Sequence, residues 1–211
     1  RTRIERLYPS PDGRRVAVAW IYGEGGTFVS ILDVNTGILT PLFGDSAQID
    51  QRVYFLDWSP DGNSVLVLGN VDNPDLRYSA WLVDVNTHAY QAVGIKQNEN
   101  RVPVITGASF SPDGQEIAYA QYECARCTSE IWRISLDGSS KQLLFQHSLD
   151  EIEEVKWSPR GDLIAFVKWR LSYPPTFPLG ELWVMNADGS NSRQLSSILT
   201  GPKYELGYGF T

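Results

Sequence analysis

Asp61 and Asp113 stand in identical Ser-Pro-Asp-Gly contexts and could be taken for the carboxylate pair of a general acid–base site. Cys124 and Cys127 form Cys-x-x-Cys, the spacing of a redox motif or of half a zinc site. His88 and His147 are the only histidines, and Asp33-Val34-Asn35-Thr36-Gly37 opens like a calcium loop. Each case lacks something its chemistry needs. The aspartate recurs at Asp12, always inside the same four-residue turn, so its presence follows the turn. A redox pair needs a helix start to lower a thiol pKa, and this one falls between strands; zinc needs two more ligands. A local disulfide between Cys124 and Cys127 ranks first, and it implies an oxidising compartment. The two histidines fall in connections at opposite blade ends, which argues against a shared triad or zinc site. The 33–37 segment lacks the distal Glu and reads as a hairpin turn. No Gly-x-Ser-x-Gly elbow and no phosphate-cradling glycine loop occur. The reading therefore assigns no catalytic residue, no metal and no cofactor.

What positions these residues is a repeat. "PSPDG" (9–13), "WSPDG" (58–62), "FSPDG" (110–114) and "WSPRG" (157–161) place a serine at 10, 59, 111 and 158. Each turn follows a short run ("IERLY", "VYFLDW", "ITGASF", "EEVKW") and precedes an alternating one ("RRVAVAW", "NSVLVLG", "QEIAYAQ", "DLIAFVK"). A third run and a second turn come next ("FVSILDVNTG", "SAWLVDVNTH", "SEIWRISLDGS", "GELWVMNADGS"), then a short fourth run ("ILTPL", "AYQAV", "KQLLF", "RQLSS"). No helical period intervenes. Four strands, A to D, in each unit of about 50 residues are what a β-propeller blade requires. The prediction is an all-β protein: a single propeller domain over 1–211, with four four-stranded antiparallel blades at about 4–42, 53–93, 104–145 and 152–197. Residues 204–211, "YELGYGFT", read as strand A of a fifth unit, so the chain is expected to be a fragment of a larger propeller.

The turn joins strand A to strand B. Pro presets φ, Ser and Asp bond nearby backbone, and Gly takes the left-handed position. The preceding aromatic (Trp58, Phe110, Trp157) is expected to pack between neighbouring blades. Trp58-Ser59-Pro60-Asp61-Gly62 with "SVLVLG", and "LWVMNADGSNSRQLS" at 182–196, resemble the TolB-like or PD40 propellers, relatives of the WD-repeat proteins. The resemblance runs over nearly the whole chain and implies a fold more than a function, since this class serves many roles. Three positions depart from the pattern: Pro9 for Trp, His88 for the turn Gly, and Arg160 for Asp.

A–B and C–D turns share one end of a blade; the long, irregular B–C and D–A connections share the other. Varied loops on a rigid scaffold are the usual place for recognition. The fourth B–C loop carries Trp169, Arg170, Tyr173 and Phe177, types favoured at interface hot spots. Arg77 and Tyr78 in the second are further candidates. The competing reading is that these aromatics only fold over the blade edge. A net charge of −7 without a basic run excludes a nucleic-acid footprint, and no apolar run reaches the roughly 18 residues of a membrane helix. The expectation is a non-enzymatic binding scaffold with a protein or peptide partner, in an exported, periplasmic or envelope protein. The alternative is an accessory propeller of a prolyl oligopeptidase-like hydrolase whose catalytic domain lies elsewhere; a propeller hydrolase or lyase using central carboxylates ranks last.

Overall fold

A computed structural model describes residues 2–22, 26–43, 49–71, 79–93, 104–123, 128–148, 150–170 and 179–200. These form sixteen strands and no helix. The chain divides into two compact units, Arg1–Glu99 and Asn100–Thr211, each holding two blades. Blade one comprises β1 (Thr2–Pro9), β2 (Arg15–Tyr22), β3 (Gly26–Asp33) and β4 (Leu39–Pro41), and blade two β5 (Ile49–Trp58), β6 (Ser64–Val71), β7 (Ser79–Asp84) and β8 (Tyr90–Ala92). Blade three comprises β9 (Val104–Phe110), β10 (Glu116–Glu123), β11 (Thr128–Ser135) and β12 (Lys141–Ser148). Blade four comprises β13 (Asp150–Trp157), β14 (Leu163–Arg170), β15 (Leu179–Asn186) and β16 (Arg193–Thr200). Within each blade the strands pair antiparallel in chain order. Among the described residues a single parallel bridge, Thr27 to Arg52, links β3 to β5.

Alternation places successive side chains on opposite faces of a blade. In the first unit Ala17, Val29 and Ile31 pack against Val53, Trp58, Val65, Val67, Trp81 and Val83 of blade two. The second unit repeats this with Ala118, Ala120 and Ile131 against Ile152, Val155, Ile164, Phe166 and Met185. Polar donors fasten the blades. Trp58 Nε1 donates to the Tyr8 carbonyl at 2.8 Å, and Arg15 donates to the Gly62 carbonyl at 2.9 Å and to Asn86 Oδ1 at 2.6 Å. Trp58 thus packs between blades as expected. Trp157 is only half-buried, and its Nε1 finds no hydrogen-bond partner among the described residues.

The turns are closed by their own side chains. Ser10, Ser59 and Ser111 each donate Oγ–H to the turn aspartate at 2.6 Å. Asp12, Asp61 and Asp113 then accept a backbone N–H two residues on, at 3.0 Å. Their carboxylates are consumed by turn formation. In blade four Arg160 replaces the aspartate, and Ser158 turns instead to Asp162 Oδ1 at 2.7 Å, so the apparent defect is repaired two residues later. His88 likewise fills a glycine position: it adopts φ +61, and Nδ1 donates to the Leu42 carbonyl of blade one at 2.9 Å. Asp33 Oδ1 accepts the N–H of Asn35 and Thr36 and the Thr36 hydroxyl, a hairpin turn rather than a calcium loop.

Donors aimed at these carboxylates favour the ionised form. The serine hydroxyl is the main cause of a lowered pKa at Asp12, Asp61, Asp113, Asp162 and Asp188, and a backbone N–H at Asp33 and Asp84. The Ser139 N–H is the main cause at Asp137, held at about 2. A carboxylate whose folded pKa lies below its unfolded value stabilises the fold above that unfolded value, and the stabilisation disappears as pH falls through the folded one. The melting temperature should therefore be flat from pH 7 to about 5 and fall steadily between about pH 4 and 2. Thermal denaturation across that range checks this; a flat profile to pH 2 would refute it.

Candidate functional site

The opposite end of blade four holds a charged cluster among aromatic rings. Lys168 on β14 and Glu181 on β15 are cross-strand partners, and the Lys168 ammonium lies 3.1 Å from Glu181 Oε2. It also lies 3.2 Å from Asp150 Oδ2, at the start of β13. The Lys168 and Glu181 side chains are only 4% and 7% exposed, so the pairing is made largely out of water. Trp183 Nε1 donates to Glu181 Oε2 at 3.0 Å, and the ammonium sits 4.6 Å from the Trp183 ring centre. Blade three closes the cluster. His147 Nδ1 stands 3.3 Å from Asp150 Oδ2, and Phe145 packs on Phe166 and Trp183.

Blade three carries a related arrangement without the buried lysine. Glu130 Oε2 accepts Gln121 Nε2 and Trp132 Nε1, both at 2.8 Å, and Gln146 Nε2 reaches Oε1 at 3.2 Å. Gln121 pairs with Glu130 as Lys168 pairs with Glu181. Lys141 lies over Trp132 at 4.4 Å, and burial lowers its pKa. The clue in the sequence was a repeated Glu-x-Trp at 130–132 and 181–183, together with a lysine inside the apolar run "IAFVKW". The sequence reading passed over both.

Lys168 is shared between two carboxylates and capped by an indole. Such a lysine is a poor nucleophile, and carboxylates held by one ammonium are not poised as an acid and a base. What the cluster does is fix the ends of three strands at the loop end of the blade. Of the predicted site residues, two lie on the strand that carries Lys168, and neither is shown in contact with the cluster. Trp169 follows Lys168 on β14 and is half-buried, with Nε1 lacking a hydrogen-bond partner among the described residues. Arg170 ends β14, and its backbone pairs with Asp150 and Leu179. Tyr173, Phe177, Arg77, Tyr78, Cys124, Cys127 and 204–211 lie outside the described residues. Among the described residues no group of three His, Cys, Asp or Glu side chains could hold a metal ion. No helix among them is long and apolar enough to cross a membrane.

No protein-family model matches the chain, and no curated protein does. Solved structures do. A TolB from Agrobacterium tumefaciens superposes with a TM-score of 0.72 at 23% identity, over 92% of this chain and 65% of that one. In fold, the chain is a β-propeller. TolB from Acinetobacter baumannii matches with a TM-score of 0.62 at 18% identity, over 87% of this chain and 40% of that one. An oligogalacturonate lyase in complex with manganese matches at 0.65 and 15% identity, over 94% of this chain and 54% of that one. The propeller chain thus spans 65% and 40% of the two TolB proteins. Propeller architecture is what these likenesses share; they carry no site from one protein to another.

Proposed function

We propose that this propeller is a non-catalytic binding scaffold that holds a protein or peptide partner at the loop end of blade four. One observation carries the reading: the Asp150–Lys168–Glu181 cluster locks the strand ends from which Trp169, Arg170 and the 171–178 connection depart. A loop with rigid roots loses less entropy on binding than one with mobile roots. At the turn end, the described Ser-Pro-Asp-Gly carboxylates and hydroxyls are spent on their own turns. Tyr173, Phe177 and Arg170 are the residue types that anchor interfaces. The Cys124–Cys127 spacing, taken as a disulfide, supports an extracytoplasmic setting.

The test is selection of peptide ligands from a random library on the purified chain, followed by replacement of Arg170, Tyr173 and Phe177 with alanine. Trp169 stays intact because its ring is half-buried. With anchors worth about 2 kcal/mol each, affinity should fall at least ~30-fold while the melting temperature moves by less than about 2 °C. Undiminished binding, or turnover of peptide or oligosaccharide substrates, would overturn the reading.

A further inference from the structure

His147 is the member of the blade-four cluster that reaches solvent. The Lys168, Glu181 and Asp150 side chains are 4%, 7% and 9% exposed, whereas that of His147 is 39% exposed. The exposure is not spread evenly over the ring. Nδ1 is shut off from water and stands 3.3 Å from Asp150 Oδ2. The open edge is therefore the one that carries Nε2, which has no hydrogen-bond partner among the described residues.

The ring has little freedom to turn. The Phe145 ring lies within 11° of parallel to it, 6.4 Å away between centres. Strand β12 sets His147 opposite Ser129, which is fully buried and whose Oγ accepts the Ile152 N–H of β13. Asp150, on the Nδ1 side, is itself held by the Lys168 ammonium at 3.2 Å. The histidine–aspartate and serine–Ile152 contacts both cross from blade three to blade four, inside one compact unit. A carboxylate only accepts, so the proton of the neutral imidazole sits on Nδ1, facing Asp150. Nε2 is left as an acceptor.

We propose that His147 Nε2 accepts a main-chain N–H of the peptide or protein held at the loop end of blade four, a role that rests on the binding function proposed for that site. The placement fits. Asp150 pairs in register with Arg170, so the imidazole abuts the strand end from which the 171–178 connection departs. The chemistry fits as well. A peptide offers an N–H at every residue but proline, and an acceptor fixed before binding costs little entropy. Phe145 flanks the imidazole and Trp183 flanks Phe145, both half-buried. Beside such rings an uncharged amide is desolvated at less cost than an ammonium.

Affinity for a peptide selected from a random library tests this with His147→Asn and His147→Gln. An asparagine amide can keep the Asp150 contact at the Nδ1 position but reaches no further; a glutamine amide can bring its oxygen to the Nε2 position. His147→Asn should weaken binding about tenfold and His147→Gln by less than about threefold. N-methylation of the peptide, one amide at a time, reports the other side. One N-methyl peptide should lose about tenfold against wild type and nothing further against His147→Asn. Thermal melting verifies that both variants fold. Should one fail, carbethoxylation of wild-type Nε2 replaces it, and bound peptide should shield His147 from the reagent. Undiminished binding by His147→Asn, equal losses in the two variants, no N-methyl position coupled to His147, or an unshielded His147 would each overturn the proposal. A peptide that needs Arg170, Tyr173 and Phe177 but not His147 overturns this inference alone. A peptide indifferent to those three overturns the binding site itself, and the inference with it.

Discussion

Lys168→Met should lower the melting temperature by about 10 °C. The substitution leaves Asp150 and Glu181, both largely buried, without the ammonium they share. Removing one partner of a buried ion pair costs about 3–5 kcal/mol, and a domain of this size loses roughly 2–4 °C per kcal/mol. The cost comes from uncompensated charge, so removing that charge should recover most of it. Lys168→Met combined with Asp150→Asn and Glu181→Gln should return to within a few degrees of wild type, because the new amide oxygen can still accept from Trp183 Nε1. Differential scanning calorimetry of both variants decides the point. A single variant that melts like wild type would mean that the carboxylates are solvated and the cluster fixes nothing.

Gly189→Ala should be comparably damaging, and for a steric reason. Gly189 lies in the β15–β16 turn at φ +88, and a Cβ there would come within 2.5 Å of the Leu144 carbonyl oxygen and 2.9 Å of Leu144 Cα. Both atoms are backbone of β12 in blade three, so no side chain can swing away. Left-handed strain of about 1–2 kcal/mol and a forced shift of about 1–3 kcal/mol combine to a loss of roughly 2–5 kcal/mol. Gly138, the equivalent turn glycine of blade three, provides the control: its φ is +73, but a Cβ there meets nothing within 4 Å. Gly138→Ala should cost only the backbone strain, about 1–2 kcal/mol. Equal losses at the two positions, measured by urea denaturation, would show that blade three does not press against the turn.

The fold was legible because its determinants are local. A Ser-Pro-Asp-Gly turn closes through bonds spanning two to five residues, so the string alone announces it. Strand alternation is equally local. Even so, two departures from the repeat are explained only by contacts: Asp162 takes the serine hydroxyl beside Arg160, and the His88 imidazole reaches blade one. The charged cluster was harder to see because it depends on register. Lys168, Asp150 and Glu181 are 13 to 31 residues apart in sequence and meet only through the β13–β14 and β14–β15 pairings. Nothing in "FVKW" says which face Lys168 occupies until the Ile164, Phe166 and Lys168 side of β14 is known to point at blade three. That Trp169 and Arg170 end a strand at the loop side is what the repeat itself predicts.

The fasteners between blades have a consequence for how such chains change. Trp58, Arg15 and His88 donate to the main-chain carbonyls of Tyr8, Gly62 and Leu42, and Arg133 and Thr106 donate to those of Ala187 and Ile152. A main-chain acceptor is present whatever side chain its residue carries. A neighbouring blade can therefore drift at those positions without a matching change across the seam. A copied blade arrives with its half of the fastening already usable, so the architecture tolerates duplication and exchange of whole blades while the loop ends diverge independently.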